Sequence, residues 1–226
     1  MGRRALKKID PSLDLSQHLL GPEQVPRPWD AGAVFGRSAP LEVEVGSGKG
    51  LFLRNAAAAQ PGVDFLGIEI ARKYARFAAA GLARRSLPNA RVLAADALWV
   101  FQEVLPVDAL AAVHVYFPDP WWKQRHKKRR IMRPDFVARI EATLAPGGTL
   151  HFWSDVLEYF QATLDLLAAH TRLLGPIEVP EFPAPDDMAY RTHFERRMRL
   201  SREAVYRAEF RKRSNLPLGP AEAAGG

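Results

Sequence analysis

The chain has 226 residues, 47% of them hydrophobic, enough for one substantial core and a comfortable length for a single α/β domain. Its 32 Lys and Arg against 25 Asp and Glu leave a net charge of +7, which favours polyanionic partners without selecting one. The absence of cysteine excludes disulfides, thiolate metal sites and thiol nucleophiles. The basic segment Met1–Asp10 leads to no apolar signal core, and the most apolar stretch, Val104–Phe117, is interrupted by Pro106 and Asp108, so a cytoplasmic location without membrane contact is expected.

Residues 1–40 hold Pro11, Pro22, Pro26, Pro28 and Pro40 and read as an extended or loosely helical lead-in, partly ordered. A regular alternation then begins. Leu41–Val45 is a strand, Gly46–Gly50 a turn, and an Ala-rich helix runs to about Gln60, before Pro61 and Gly62. Val63–Ile70 reads as a buried strand, Ala71–Ser86 as a helix, Arg91–Ala94 as a strand and Ala97–Val104 as a short helix. Leu110–Phe117 follows as a strand, Pro134–Leu144 as a helix closed by Pro146-Gly147-Gly148, Thr149–Trp153 as a strand and Val156–Thr171 as a helix. Thr192–Phe210 reads as one or two late strands. The domain is placed at 41–212, with a flexible tail at 213–226. Parallel strands need crossovers and helices supply them, so the alternation predicts a doubly wound, largely parallel sheet covered on both faces. Ligands bind such sheets beyond the carboxyl ends of the strands.

Glu44-Val45-Gly46-Ser47-Gly48-Lys49-Gly50 places glycines at alternate positions where a strand becomes a helix, allowing a tight turn and leaving room for a ligand. Glu69, at the end of the next strand, stands where an acid accepts hydrogen bonds from ribose hydroxyls. The spacing is GxGxG, not the GxGxxG of dinucleotide sites, and Glu44 would repel a pyrophosphate. Glu44 suits instead a cofactor that carries an ammonium and a sulfonium and no phosphate, S-adenosylmethionine. Asp96 has two readings, an acceptor for the adenine amine and an N-cap for the helix from Ala97.

The strand at 110–117 ends in Phe117-Pro118-Asp119-Pro120-Trp121-Trp122, followed by Lys123, Arg125, His126, Lys127, Lys128, Arg129 and Arg130. Two prolines hold the backbone around Asp119 and present its carboxylate at the strand edge. The tryptophans offer flat faces for a base or for core packing, and the cations can engage phosphates. His114, inside the strand, reads as a packed residue and not a ligand, and no metal is expected because His, Asp and Glu do not cluster at ligand spacing.

These segments, with Gly67-Ile68-Glu69-Ile70, Trp153-Ser154-Asp155 and Thr192-His193-Phe194-Glu195, resemble the bacterial tRNA guanine-N7 methyltransferases over about residues 40–200. The resemblance implies a Rossmann-like class I methyltransferase fold with a seven-stranded, mostly parallel sheet. It implies transfer of the methyl group of S-adenosylmethionine to N7 of a guanine in the tRNA variable loop. Glu44, Gly46, Gly48, Glu69, Asp96 and Asp119 would contact the cofactor, and Asp119 would be catalytic. Lys123, Asp155, Thr192, His193, Phe194 and Glu195 would hold the substrate, and Arg125, His126, Lys127, Lys128, Arg129 and Arg130 would face RNA. Asp155 taken alone reads equally as a helix N-cap. tRNA is the expected partner, with the protein acting as a monomer or homodimer. The rival readings are an amino methyltransferase acting on adenine or cytosine, a non-catalytic RNA-binding protein on the same scaffold and, third, a nucleotide-dependent dehydrogenase.

Overall fold

The computed structural model describes residues 6–121, 130–180, 192, 195, 198, 200, 201 and 203–214. The alternation expected from residue 41 onward is present. β2 (Leu41–Val45), α2 (Leu51–Ala59), β3 (Asp64–Ile68), α3 (Arg72–Ala83), β4 (Ala90–Leu93) and α4 (Ala97–Trp99, continuing into a π-helical turn at Val100–Val104) form one half. β5 (Leu110–Tyr116), α5 (Pro134–Thr143), β6 (Leu144–Ser154) and α6 (Leu157–His170) form the other. Two further strands complete the sheet at that end, β7 (Leu174–Glu178) and β8 (Tyr206–Arg211).

The lead-in also contributes. Leu19–Leu20, here β1, pairs in parallel with Val92 and Leu93 of β4, and a short helix, α1 (Ala31–Phe35), follows it. The sheet therefore has eight strands, in the order β1-β4-β3-β2-β5-β6-β8-β7, where seven were expected; β1 and β7 lie outside the segments read as strands. All pairings up to β5–β6 are parallel, and β8 runs antiparallel to both β6 and β7. The late segment holds one of the one or two strands expected between Thr192 and Phe210. Its described strand is β8 alone, and Glu195, Met198 and Leu200 are helical.

Strand alternation sorts the side chains into two layers. Val113 and Val115 of β5 pack with Phe136 and Ile140 of α5 and with Tyr159 and Phe160 of α6. Tyr116 and Trp153 join the layer of Phe52 and Leu53 from α2 and Ala75 and Ala78 from α3. Phe65, Phe101, Phe136 and Phe152 are fully enclosed, so truncating any of them to Ala should cost about 3–5 kcal/mol. The order reverses between β2 and β5, because the chain leaves β4 at one side and re-enters beside β2. A crevice opens at such a reversal, at the carboxyl edge. Among the described residues no helix is long and apolar enough to cross a membrane.

Candidate functional site

The five parallel strands β2 to β6 each deliver one acidic or glycine-rich segment to the same edge. In sheet order these are Asp96 after β4, Glu69 after β3, the glycine turn after β2, Asp119 after β5 and Asp155 after β6.

The glycine turn explains its own composition. Gly46, Gly48 and Gly50 take φ of 75°, 53° and 69°, left-handed values that cost other residues about 1–2 kcal/mol each. A side chain at Gly46 would meet nothing within 4 Å, so the turn faces open space there. At Gly50, the N-cap of α2, a Cβ would lie 2.7 Å from the Cβ of Ala78 on α3. Strain and collision add, so Gly50→Ala should lose about 2–4 kcal/mol of unfolding free energy in urea titration. A loss below 0.5 kcal/mol would show that α3 yields.

Glu69 braces this turn. Its Oε2 accepts from the Gly48 amide at 2.9 Å and its Oε1 from the Ala71 amide at 2.8 Å. Each carboxylate oxygen keeps a lone pair for a ribose hydroxyl. Glu44 is only 4% exposed, and its Oε2 and the neighbouring Ser47 Oγ are buried without a hydrogen-bond partner. Burial, and after it the Glu69 carboxylate, push the Glu44 carboxyl well above the usual range. A buried acid with an orphaned oxygen beside an open glycine turn matches a cationic ligand and opposes a phosphate.

Asp96 caps α4, its Oδ1 accepting from Leu98 N at 2.7 Å and Trp99 N at 3.3 Å. This is the capping half of its two readings, and it leaves Oδ2 outside the cap. Ile70 lies beyond the end of β3 at Ile68, not within the strand expected to reach it; it is 72% exposed beside Glu69 and offers an apolar face at the same edge.

Phe117 and Trp121 have φ of 50° and 44°, left-handed values on non-glycine residues, and they bracket Pro118-Asp119-Pro120. The Phe117 amide donates to the Trp153 carbonyl at 2.8 Å, tying the start of the segment to β6. Asp119 is exposed at the centre of this strained segment. Asp155 is half-buried at the end of β6. It is not the cap of α6: Val156 holds that position without a side-chain bond, and the Ser154 Oγ accepts from the Val156 amide at 3.1 Å.

Thr192 Oγ1 accepts from the Glu195 amide at 2.9 Å. Glu195 is 4% exposed and lies 3.6 Å from Nη2 of Arg207, whose guanidinium sits 4.9 Å over the Trp153 ring. Thr192 and Glu195 are thus joined to β6 and β8 through Arg207, a residue with no sequence signal of its own. Lys123, Arg125, His126, Lys127, Lys128, Arg129, His193 and Phe194 lie outside the described residues.

One tier below, His114 is buried, as its place in the strand suggested. It bonds Tyr116 Oη at 2.9 Å and Glu42 at 2.8 Å, and it stacks on His151 at 4.6 Å between ring centroids. His151 in turn lies 2.9 Å from Glu209. This polar row crosses β2, β5, β6 and β8 and fixes their register beneath the site.

The comparisons agree with this architecture. Residues 38–208 match the family described as "Putative methyltransferase". The chain is 46% identical over 220 residues to a tRNA (guanine-N(7)-)-methyltransferase of Rhodopirellula baltica, covering 95% of this chain and 81% of that protein. It is 37% identical to the enzyme of the same description from Alkalilimnicola ehrlichii, covering 94% of this chain and 87% of that protein. In fold it is similar to a 16S rRNA (adenine(1408)-N(1))-methyltransferase variant with cosubstrate SAM from Catenulisporales acidiphilia. There the TM-score is 0.54 at 18% identity, over 81% of this chain and 91% of that one. On sequence, extent and fold together, the chain belongs to the tRNA (guanine-N(7)-)-methyltransferase family.

Proposed function

We propose that residues 41–212 form a catalytic unit that transfers the methyl group of S-adenosylmethionine to N7 of a guanine in the variable loop of tRNA, giving 7-methylguanosine. The observation that carries this reading is the buried, orphaned carboxylate of Glu44 beside an open turn of left-handed glycines, in a chain of this family. When bound, S-adenosylmethionine supplies an electrophilic methyl group on a sulfonium. Glu44 would hold its ammonium and Glu69 its ribose. Asp96 would take the adenine amine through the oxygen that does not cap α4, and the exposed Ile70 would offer the ring an apolar face.

Guanine N7 carries an in-plane lone pair and no proton, so the protein needs no strong base before the reaction. Alignment dominates, and in favourable cases it contributes roughly 7–11 kcal/mol. Asp119 and Asp155, on adjacent strands β5 and β6, accept hydrogen bonds from guanine N1–H and its amino group. Their negative charge offsets the positive charge that the methylated base acquires. Thr192, His193, Phe194 and Glu195 border the base, and Lys123 with the cations Arg125–Arg129 takes phosphates.

The test is incubation with unmodified tRNA and labelled S-adenosylmethionine, followed by nucleoside analysis. 7-Methylguanosine is the expected product. Label in adenosine or cytidine would transfer the protein to amino methylation. No transfer, with no cofactor binding by calorimetry, would leave an RNA-binding scaffold.

A further inference from the structure

The basic run from Lys123 to Arg130 reads as a set of phosphate contacts, yet its last member is turned inward. Arg130 is half-buried. Its Nε donates to the Pro120 carbonyl at 2.7 Å, and its guanidinium lies 4.5 Å over the ring of Tyr159 on α6. Tyr159 is a firm anchor: it is 2% exposed and packs edge-on against Phe152 of β6 at 6.2 Å. One arginine therefore ties the residue after Asp119 to a helix that is itself fixed to the sheet.

The strain in the segment gives this tie a purpose. Left-handed φ at Phe117 and Trp121 costs of order 1–3 kcal/mol each and persists only where the surroundings impose it. The Trp153 carbonyl holds the Phe117 end. Arg130 holds the other, one peptide unit beyond Asp119. The Tyr159 phenol is pushed up to about 12, by burial foremost, with the Met132 backbone and Arg130 pulling against that rise and the Asp119 carboxylate adding least to it.

We infer that Arg130 is a positioning residue that holds the Pro118–Trp121 turn, and with it the carboxylate of Asp119, against α6. This replaces for Arg130 the phosphate contact expected from the basic run, and its catalytic consequence rests on the function proposed above.

The experiment compares Arg130→Gln with Arg130→Met. The amide nitrogen of Gln occupies the chain position of arginine Nε and keeps the donor to Pro120 without the charge, whereas Met keeps bulk and removes the donor. Arg130→Met should lower kcat about tenfold or more with KM for tRNA changed less than twofold, and Arg130→Gln should recover most of kcat. The salt dependence of KM should match wild type in both. A phosphate contact gives the opposite result: both variants raise KM and reduce the salt slope by about one, at unchanged kcat. That result, or wild-type kinetics in Arg130→Met, overturns the inference. Hydrogen exchange in the peptide spanning Tyr116–Trp121 reads the tie without any activity, and should be faster in Arg130→Met than in Arg130→Gln or wild type. If wild type makes no 7-methylguanosine while exchange follows that order, the functional reading fails and the tie stands. Equal exchange in all three proteins removes the tie.

Discussion

Asp119→Ala should lower single-turnover methyl transfer by about 10²–10³, the loss usual when one positioned hydrogen-bonding group is removed from a transition state. The residue stands at the carboxyl end of β5, between the glycine turn of β2 and Asp155 of β6, where the sheet order reverses. Its exposed side chain makes no hydrogen bond or ion pair to a described residue, so the substitution should change stability by less than about 0.5 kcal/mol. Loss of rate is then separable from loss of fold, and calorimetry with S-adenosylmethionine shows whether cofactor binding survives. Asp119→Asn keeps an acceptor and loses the charge that offsets the cationic product, and should fall about tenfold. Near-normal turnover in both proteins would remove Asp119 from the mechanism.

Glu44→Gln should do two opposite things. Affinity for S-adenosylmethionine should fall about 100-fold, or about 3 kcal/mol, because a buried charge partner of the ammonium is lost. The ligand-free protein should nevertheless melt about 2–6 °C higher at neutral pH, because Gln carries no charge to bury. The pH dependence follows from the raised carboxyl of Glu44. Since the folded chain holds this proton more tightly than the unfolded chain, the group's contribution to stability is complete below the ordinary glutamate range near 4.5. It is lost as pH rises through the folded-state value. The advantage of Glu44→Gln should therefore shrink as pH is lowered toward that range. Thermal melts at several pH values check it, and a variant that melts lower than wild type at neutral pH would mean that Glu44 is stabilised in a way its burial does not show.

Much of the candidate site is legible in the sequence because its local chemistry is restrictive. Alternate left-handed positions admit little but glycine, so the turn at 46–50 declared itself, and two prolines marked Asp119 as a held residue. The alternation of apolar runs pointed to a largely parallel sheet because parallel strands require crossovers. What was missed depends on partners distant in sequence. β1 is two residues long and is defined by the carbonyls of His18 and Leu20, which accept from the amides of Val92 and Ala94. β7 contains Gly175-Pro176 and buries none of its residues, so it has no apolar pattern to detect. β6 begins at Leu144, running through Pro146-Gly147-Gly148, which read as a helix stop. Arg207 and Arg130 look like surface cations in a basic sequence. Only their pairing with Glu195 and Trp153, and with Pro120 and Tyr159, shows them turned inward.

The two margins of the sheet are closed by different means. At one, the lead-in strand occupies backbone groups of β4 that would otherwise face outward. At the other, Pro176 removes a donor from the outermost described strand. The sheet thus offers neighbouring copies a poor template for ribbon-like stacking. Deleting residues 6–20 should expose that liability as turbidity on concentration.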